Sequence, residues 1–313
     1  MELFTLKPSL GIQEGWLVFP LGLNMDLSVI IPNRNSQFTT KTIEDILLKS
    51  ATEVEVIVNV DEKWPEPLLN DKRVTYVHPS TPRGMRSGIN AGLSLAKGDY
   101  IMKVDDHCMF AQGYDKELED SCAENWLMIP RRYSLDAEKW ERNLTRPVRD
   151  YHYLCFPKQG KEHDWGMHGV EWHDRDKERT DPKYDIDDTM AWQGSCWFAN
   201  KKYFMSHVGF LDDRVETYST FAQEPQEIGL KYWLGDGEIK VNKRTWMAHL
   251  HKGKQYGRMY KEDYHTVASH NWSAKHWMTN EEPNLKHPIS WLVEKFWPVP
   301  TWPEDRKLWV SPI

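Results

Sequence analysis

The sequence predicts an α/β fold built on a mixed, mostly parallel sheet flanked by helices. Three observations carry that expectation. Short, continuously apolar runs recur at 27–32, 54–60 and 100–104, as in strands buried on both faces of a parallel sheet. Segments of helical period separate them at 42–50 and 84–97. Polar or acidic residues follow each run directly, at the carboxyl edge where open α/β sheets bind ligands.

Taken in order, the first run closes on Pro32, and Asn33 and Arg34 follow at its carboxyl end. The second run ends in Asp61, and a shorter third one spans 73–77. The helical stretch 84–97 is interrupted by Gly88 and Gly92. The run 100–104 then leads straight into Asp105, Asp106 and His107. Carboxylate oxygen with imidazole nitrogen suits Mn²⁺ or a similar divalent ion, with phosphate oxygens completing the shell. The competing reading is a strand end carrying solvated acids.

Beyond His107 the sequence predicts a helix over 111–126 and a strand over 127–130. The charged and aromatic stretch 135–188 reads as a long irregular loop, and loops of that length tend to bind or cover ligands. His163, His168 and His173 lie in it at intervals of five, a spacing that does not stack one helix face and favours solvated residues over a second metal site. An apolar run over 190–199 carries Gly194 at its centre, which marks a strand with a close backbone approach. Helices are expected over 201–208 and 225–234, and late strands over 239–241 and 245–249.

The chain has 313 residues, enough for one large domain or two intimately packed ones. Its formal net charge of −7 gives no global basic field for nucleic acid. A late group of bases, Lys240, Lys243, Arg244, Lys252, Lys254 and Arg258, leaves a local one open. No apolar run reaches membrane-spanning length and no signal-peptide pattern opens the chain, so a cytoplasmic protein without membrane contact is expected. Cys108, Cys122, Cys155 and Cys196 lack metal-site spacing and read as free thiols. Of sixteen tryptophans, eight fall from Trp233 onward; most are expected to fill a core.

The assembled segments resemble the GT-A-fold glycosyltransferases of family 2, and among them the polypeptide N-acetylgalactosaminyltransferases. The resemblance rests on the strand at 27–32, on Arg83-Gly84-Met85-Arg86-Ser87-Gly88-Ile89-Asn90 with Ala96-Lys97-Gly98-Asp99-Tyr100-Ile101, and on Asp105-Asp106-His107 as an Asp-x-His metal motif. It continues through Trp192-Gln193-Gly194 with Phe198, Lys202, Tyr203 and Phe204, then Gln223-Glu224-Pro225-Gln226-Glu227 and Lys231-Tyr232-Trp233. It covers 27–254 and implies a Rossmann-like GT-A domain, with a nucleotide-sugar half over 27–110 and an acceptor half over 111–254. Residues 1–26 would then be an N-terminal extension and 255–313 a Trp-rich C-terminal one.

The resemblance also implies roles. Asp105, His107 and His249 would hold Mn²⁺ or Mg²⁺, with His251 as the rival of His249 and Asp106 as an alternative to Asp105. Pro32, Asn33, Arg34, Asp106 and Gly194 would line the donor site. Asp61 would meet the nucleobase or ribose, and Arg86 would meet the diphosphate or shape its pocket. Glu224 would face the acceptor and Glu227 would support it. The implied activity is transfer of a sugar from a nucleoside-diphosphate donor, a UDP-sugar, to a hydroxyl of a saccharide, a peptide or DNA. A hydroxylated DNA base is a further acceptor, because a base can be flipped out to react. A non-catalytic nucleotide- or glycan-binding module is the alternative of another class. Gln223, Pro225 and Gln226 depart from the usual residues around the Glu pair.

Overall fold

The structure, a computed structural model, describes residues 25–34, 37–157, 167–219, 221–256, 264–283 and 285–310. Most of the expected N-terminal extension, and His163, lie outside the described residues.

The first half alternates strand and helix: β1 (Leu27–Asn33), α1 (Thr39–Lys49), β2 (Val54–Val60), β3 (Val74–Val77), α2 (Gly84–Leu95) and β4 (Tyr100–Val104). β1 pairs in parallel with both β2 and β4, and β2 pairs in parallel with β3. Every residue of β2 is buried, which is why its sequence runs apolar without alternation. Gly88 and Gly92 do not interrupt α2; they let it lie close on the sheet. A Cβ at Gly88 would stand 2.6 Å from the Asn59 amide, and one at Gly92 would run into Ile30.

The second half contains β5 (Cys108–Phe110), α3 (Tyr114–Ser121), β6 (Trp126–Asp136), β7 (Glu141–Asn143), β8 (His152–Leu154), β9 (Gly169–Glu171), α4 (His173–Glu178), β10 (Ile186–Asp188), β11 (Cys196–Asn200), α5 (Lys201–His207), α6 (Glu224–Leu234) and β12 (Glu238–His249). The main sheet runs β10-β12-β6-β11-β4-β1-β2-β3, with β5 beside β12 and β7 beside β6. β11 enters antiparallel between β4 and β6, and β6 and β12 are parallel. The result is the expected mixed α/β sheet flanked by helices.

Several element expectations are corrected. The helix expected over 111–126 is confined to Tyr114–Ser121, because Cys108–Phe110 pairs with the end of β12. β6 runs on through Pro130, whose partner Asn242 opens the irregularity of β12 between Asn242 and Trp246. A proline is tolerated where the ladder is already broken. The two late strands are therefore one bulged strand. The stretch 135–188 is not a solvated loop in its described parts: β8 is wholly buried, with Tyr151 and Met167 beside it. Strands of three residues are too short for a period to reveal them.

The C-terminal segment forms α7 (Gly253–Tyr256), α8 (Tyr264–Met278) and α9 (Ile289–Phe296). Trp277, Trp302 and Trp309 are buried in one core cluster with Trp192, Ile228 and Trp233. Their indoles are satisfied internally: Trp302 donates to Leu154 O at 2.7 Å and Trp277 to the Tyr218 hydroxyl at 2.9 Å. All four cysteines are free thiols. Among the described residues no helix is long and apolar enough to cross a membrane.

Candidate active site at the carboxyl end of the central strand

β4 ends between β1 and β11 and delivers Asp105 to the sheet edge. β12 returns His249 to the same place. β12 pairs with β5, which puts His249 opposite Cys108, one residue after His107. β5 is itself tied to α1, whose Thr42 hydroxyl accepts from Cys108 N at 3.1 Å and whose Asp45 accepts from Phe110 N at 2.6 Å. Asp105, His107 and His249 thereby offer ligand atoms all within 4.8 Å of one another. Among the described residues they form the one group of His, Cys, Asp and Glu side chains that converges in this way.

The chemistry of this set fits a divalent ion. His249 is buried, and neither of its ring nitrogens has a hydrogen-bond partner among the described residues. Its Nε2 stands 3.3 Å from Asp105 Oδ2. Bonds of about 2.0–2.2 Å to one ion place two ligand atoms at most about 4.4 Å apart, so small side-chain shifts bring the three together. Burial, then the neighbouring His107 and Arg132, hold the His249 pKa down to about 3 despite its contact with Asp105. The ring is neutral, as a metal ligand must be.

Asp106 is not an alternative ligand here. Its Oδ1 lies 2.6 Å from His107 Nδ1 and its Oδ2 accepts from Asn33 Nδ2 at 3.1 Å. The middle acid thus orients the imidazole and leaves His107 Nε2 for an ion, the usual carboxylate–histidine support of a metal site. His251 points elsewhere, its Nε2 3.3 Å from Arg149.

Lys103, which the sequence reading passed over, is buried and holds Asp105 from the other side. Its Nζ donates to Asp105 Oδ1 at 2.6 Å and to Gly194 O at 2.5 Å. Burial opposes the charge of this lysine, yet Asp105 and Glu224 keep its pKa above the ordinary value. Burial likewise opposes the charge of Asp105, and Lys103 and His249 hold its pKa far below the usual range. The available signal was period: in a buried strand, Lys103 shares a face with Asp105.

The glutamate pair opens α6. Glu224 and Glu227 are both 1 % exposed. Glu224 Oε1 accepts from Trp197 Nε1 at 2.6 Å. A Cβ at Gly194 would stand 2.6 Å from Glu224 Oε2, so the close approach at this glycine is to α6. Burial raises the Glu224 pKa against the opposing pull of Lys103. Glu227 is paired with Arg86 and, at 2.8 Å, with Lys231.

That pairing corrects one of the two expectations for Arg86. Its guanidinium is fully buried, bound to Glu227, to Asp212 O at 2.6 Å and to Ala222 O at 2.7 Å, and lies over the Tyr218 ring. It is engaged inside the protein rather than at an edge where a diphosphate would sit. Asp61 is also engaged, accepting from Arg83 N at 2.6 Å and Gly84 N at 3.1 Å at the start of α2. Asn33 is buried at the end of β1 after Pro32, whereas Arg34 is exposed and paired with Glu62.

The late basic group is largely neutralised. Lys240 pairs with Asp188 at 2.5 Å, Arg244 with Asp185 at 4.0 Å and Lys252 with Asp106 at 3.7 Å. Lys243 donates to Arg179 O at 2.5 Å. The Lys254 side chain and Arg258 lie outside the described residues. His168 and His173 do not join a metal cluster: His168 packs on His270, and His173 is a surface residue beside Glu171.

A sheet of this order, with an acid and two imidazoles at its central carboxyl edge, is an architecture of the GT-A kind. Residues 28–203 match the family model described as glycosyl transferase family 2, and the chain belongs to that family. Polypeptide N-acetylgalactosaminyltransferase 3 of Taeniopygia guttata is 24 % identical over 245 residues, which are 72 % of this chain and 38 % of that protein. The chain therefore spans well under half the length of this curated relative. In fold it is similar to the crystal structure of GalNAc-T7 with UDP, GalNAc and Mn²⁺, at a TM-score of 0.55 and 14 % identity over 73 % of this chain and 44 % of that one. S. aureus TarS 1–349 in complex with UDP-GlcNAc aligns at a TM-score of 0.49 and 13 % identity over 86 % of this chain and 71 % of that one.

Proposed function

We propose that this chain transfers a sugar from a UDP-sugar donor to an acceptor hydroxyl, with Asp105, His107 and His249 holding a divalent ion. The observation that carries this is the buried His249, whose ring nitrogens make no hydrogen bond among the described residues and which lies beside Asp105, with the ligand atoms of all three residues within 4.8 Å of one another. Two imidazoles beside one carboxylate favour Mn²⁺ over Mg²⁺, which takes mostly oxygen ligands. When bound, the ion neutralises the diphosphate leaving group.

The protein's own residues supply the rest. Lys103 fixes the Asp105 carboxylate, and Asp106 fixes the His107 ring. Asn33 and Arg34 close the nucleotide end of the sheet, with Asp61 holding the turn into α2. Glu224, with a pKa raised by burial, is the acceptor-side carboxylate, and Glu227 anchors the start of α6 through Arg86. A carboxylate with a raised pKa is suited to taking the acceptor proton.

The test is calorimetric titration of UDP with and without Mn²⁺, followed by a donor screen read by mass spectrometry against oligosaccharide, peptide and DNA pools. His107→Ala is expected to abolish the Mn²⁺-dependent part of UDP binding. Tight Mn²⁺-dependent UDP binding by that variant would remove the site from this position.

A further inference from the structure

Beyond the metal triad, on the side away from β1 and β2, the structure holds a narrow cleft whose free space, about 10 Å³, is that of a single water molecule. Its charged wall is a pair of arginines far apart in sequence. Arg132 lies on β6 opposite Met247 of β12, two residues before His249, and Arg149 is bridged to it through the backbone. Arg132 is 5 % exposed, so its charge is carried almost wholly inside the protein.

The two guanidiniums are under-compensated. Among the described residues, both are paired with the same carboxylate oxygen, Glu171 Oε1, which stands 3.5 Å from Arg132. The other acid lining the cleft, Asp150, is held by Arg131 through two nitrogens at 2.7–3.1 Å. Arg132 otherwise donates to the neutral Gln193 amide at 2.8 Å, and Arg149 faces Ser134 and His251 at 3.3 Å. Burial, then Arg149, lower the Arg132 pKa to about 10. Buried charge with so little opposite charge is costly unless a ligand completes it. A second, independent observation lies in the same cleft: His152 is buried, and its Nδ1 has no partner among the described residues.

We propose that this cleft seats an anionic substituent of the acceptor, a carboxylate or a phosphate monoester, so that the acceptor is an acidic saccharide. The inference rests on the transferase reading above. Paired guanidinium forks match the planar oxygens of such a group, and His152 Nδ1 offers a further polar contact. Free space there is only about 10 Å³, so the substituent takes the place of the Glu171 carboxylate on the two arginines rather than filling an empty cavity. Glu171 occupies the position in the present structure, and at 31 % side-chain exposure it is free to give way to solvent. The acceptor, rather than the nucleotide, is chosen because β6 belongs to the second half and lies across β11 from β4, the nearest strand of the nucleotide half.

The test uses the whole protein saturated with UDP and Mn²⁺, titrated with glucuronate, glucose 6-phosphate and glucose, and read by calorimetry and melting temperature. The acidic probes are expected to bind about 10–100-fold more tightly than glucose, the worth of one or two charged hydrogen bonds. Arg132→Gln and Arg149→Gln should each erase that difference and leave UDP–Mn²⁺ affinity within about twofold. Equal binding of acids and glucose to the unmodified protein overturns the proposal and needs no variant to fold. Loss of UDP–Mn²⁺ affinity in the variants overturns it too, by assigning the arginines to the donor diphosphate. A preference for UDP-glucuronate over UDP-glucose, without any preference among the free acids, overturns the acceptor assignment. If UDP–Mn²⁺ itself fails to bind while the acids still stabilise the protein, the transferase reading falls and the anion site stands.

Discussion

Two clusters of buried acids flank Lys103, and they are built in opposite ways. At the start of α6, Glu227 meets Arg86 and Lys231, and Glu224 takes the Trp197 indole. At the end of β4, Asp105 has Lys103, but His249 beside it keeps both ring nitrogens unpartnered among the described residues. Buried polar groups in a folded protein are ordinarily satisfied from within. Glu227, matched charge for charge by Arg86 and Lys231, reads as architecture, whereas Glu224 keeps Oε2 without a hydrogen bond among the described residues. The β4 cluster leaves a buried imidazole without a hydrogen bond beside a carboxylate, and therefore reads as a receptor for a cation.

The sharpest way to break that contrast is Arg86→Met. It leaves Glu227 buried with Lys231 as its remaining charged partner and is expected to cost about 3–5 kcal/mol in urea unfolding. A loss below about 1 kcal/mol would mean that the α6 cluster is not held by this pair. Lys103→Met comes next. In metal-free protein the loss is smaller, about 1–3 kcal/mol, because Asp105, its side chain 23 % exposed, loses its counter-charge but keeps some solvent. Mn²⁺ should recover more stability in the variant than in the unmodified protein, since the ion replaces the missing positive charge. Equal recovery in both would place the ion away from Asp105.

Asp106→Asn tests the orienting role. Mn²⁺ affinity should fall about 10–100-fold while the unfolding midpoint of the metal-free protein changes little. An unchanged affinity would show that His107 needs no carboxylate to aim it.

The smallest effect is a slope. The folded His249 has its pKa pushed down to about 3, against an ordinary value of 6.5. Between those values the unfolded chain binds a proton that the folded chain does not, so this residue lowers stability as the pH falls through the window. Metal-free His249→Gln should therefore lose less stability than the unmodified protein between about pH 6.5 and pH 4.5, measured as urea midpoints. Parallel pH profiles would show that the buried ring is protonated after all.

Much of the first half was legible because its signals are local. Continuous apolar runs gave β1, β2 and β4 almost to the residue, since strands buried on both faces need no partner to reveal them. α2 was legible as a helix, but the meaning of Gly88 and Gly92 was not, because only the neighbouring Asn59 and Ile30 show what their missing side chains make room for. In the second half, β8 and β9 have three residues each, too few to display a period.

The sequence by itself determined the α/β class, the strand that carries Asp105 and His107, and the short list of residues able to bind a cation there. It did so because side-chain chemistry and the alternation of a strand are properties of the local chain. Tertiary structure alone decided which acid stands beside His249 and which steadies the His107 ring, that Arg86 is spent on Glu227, and that Arg132 and Arg149 meet at one carboxylate. Those outcomes depend on where distant segments cross, and a side chain's direction in a packed interior is fixed by neighbours that its own stretch of sequence does not contain.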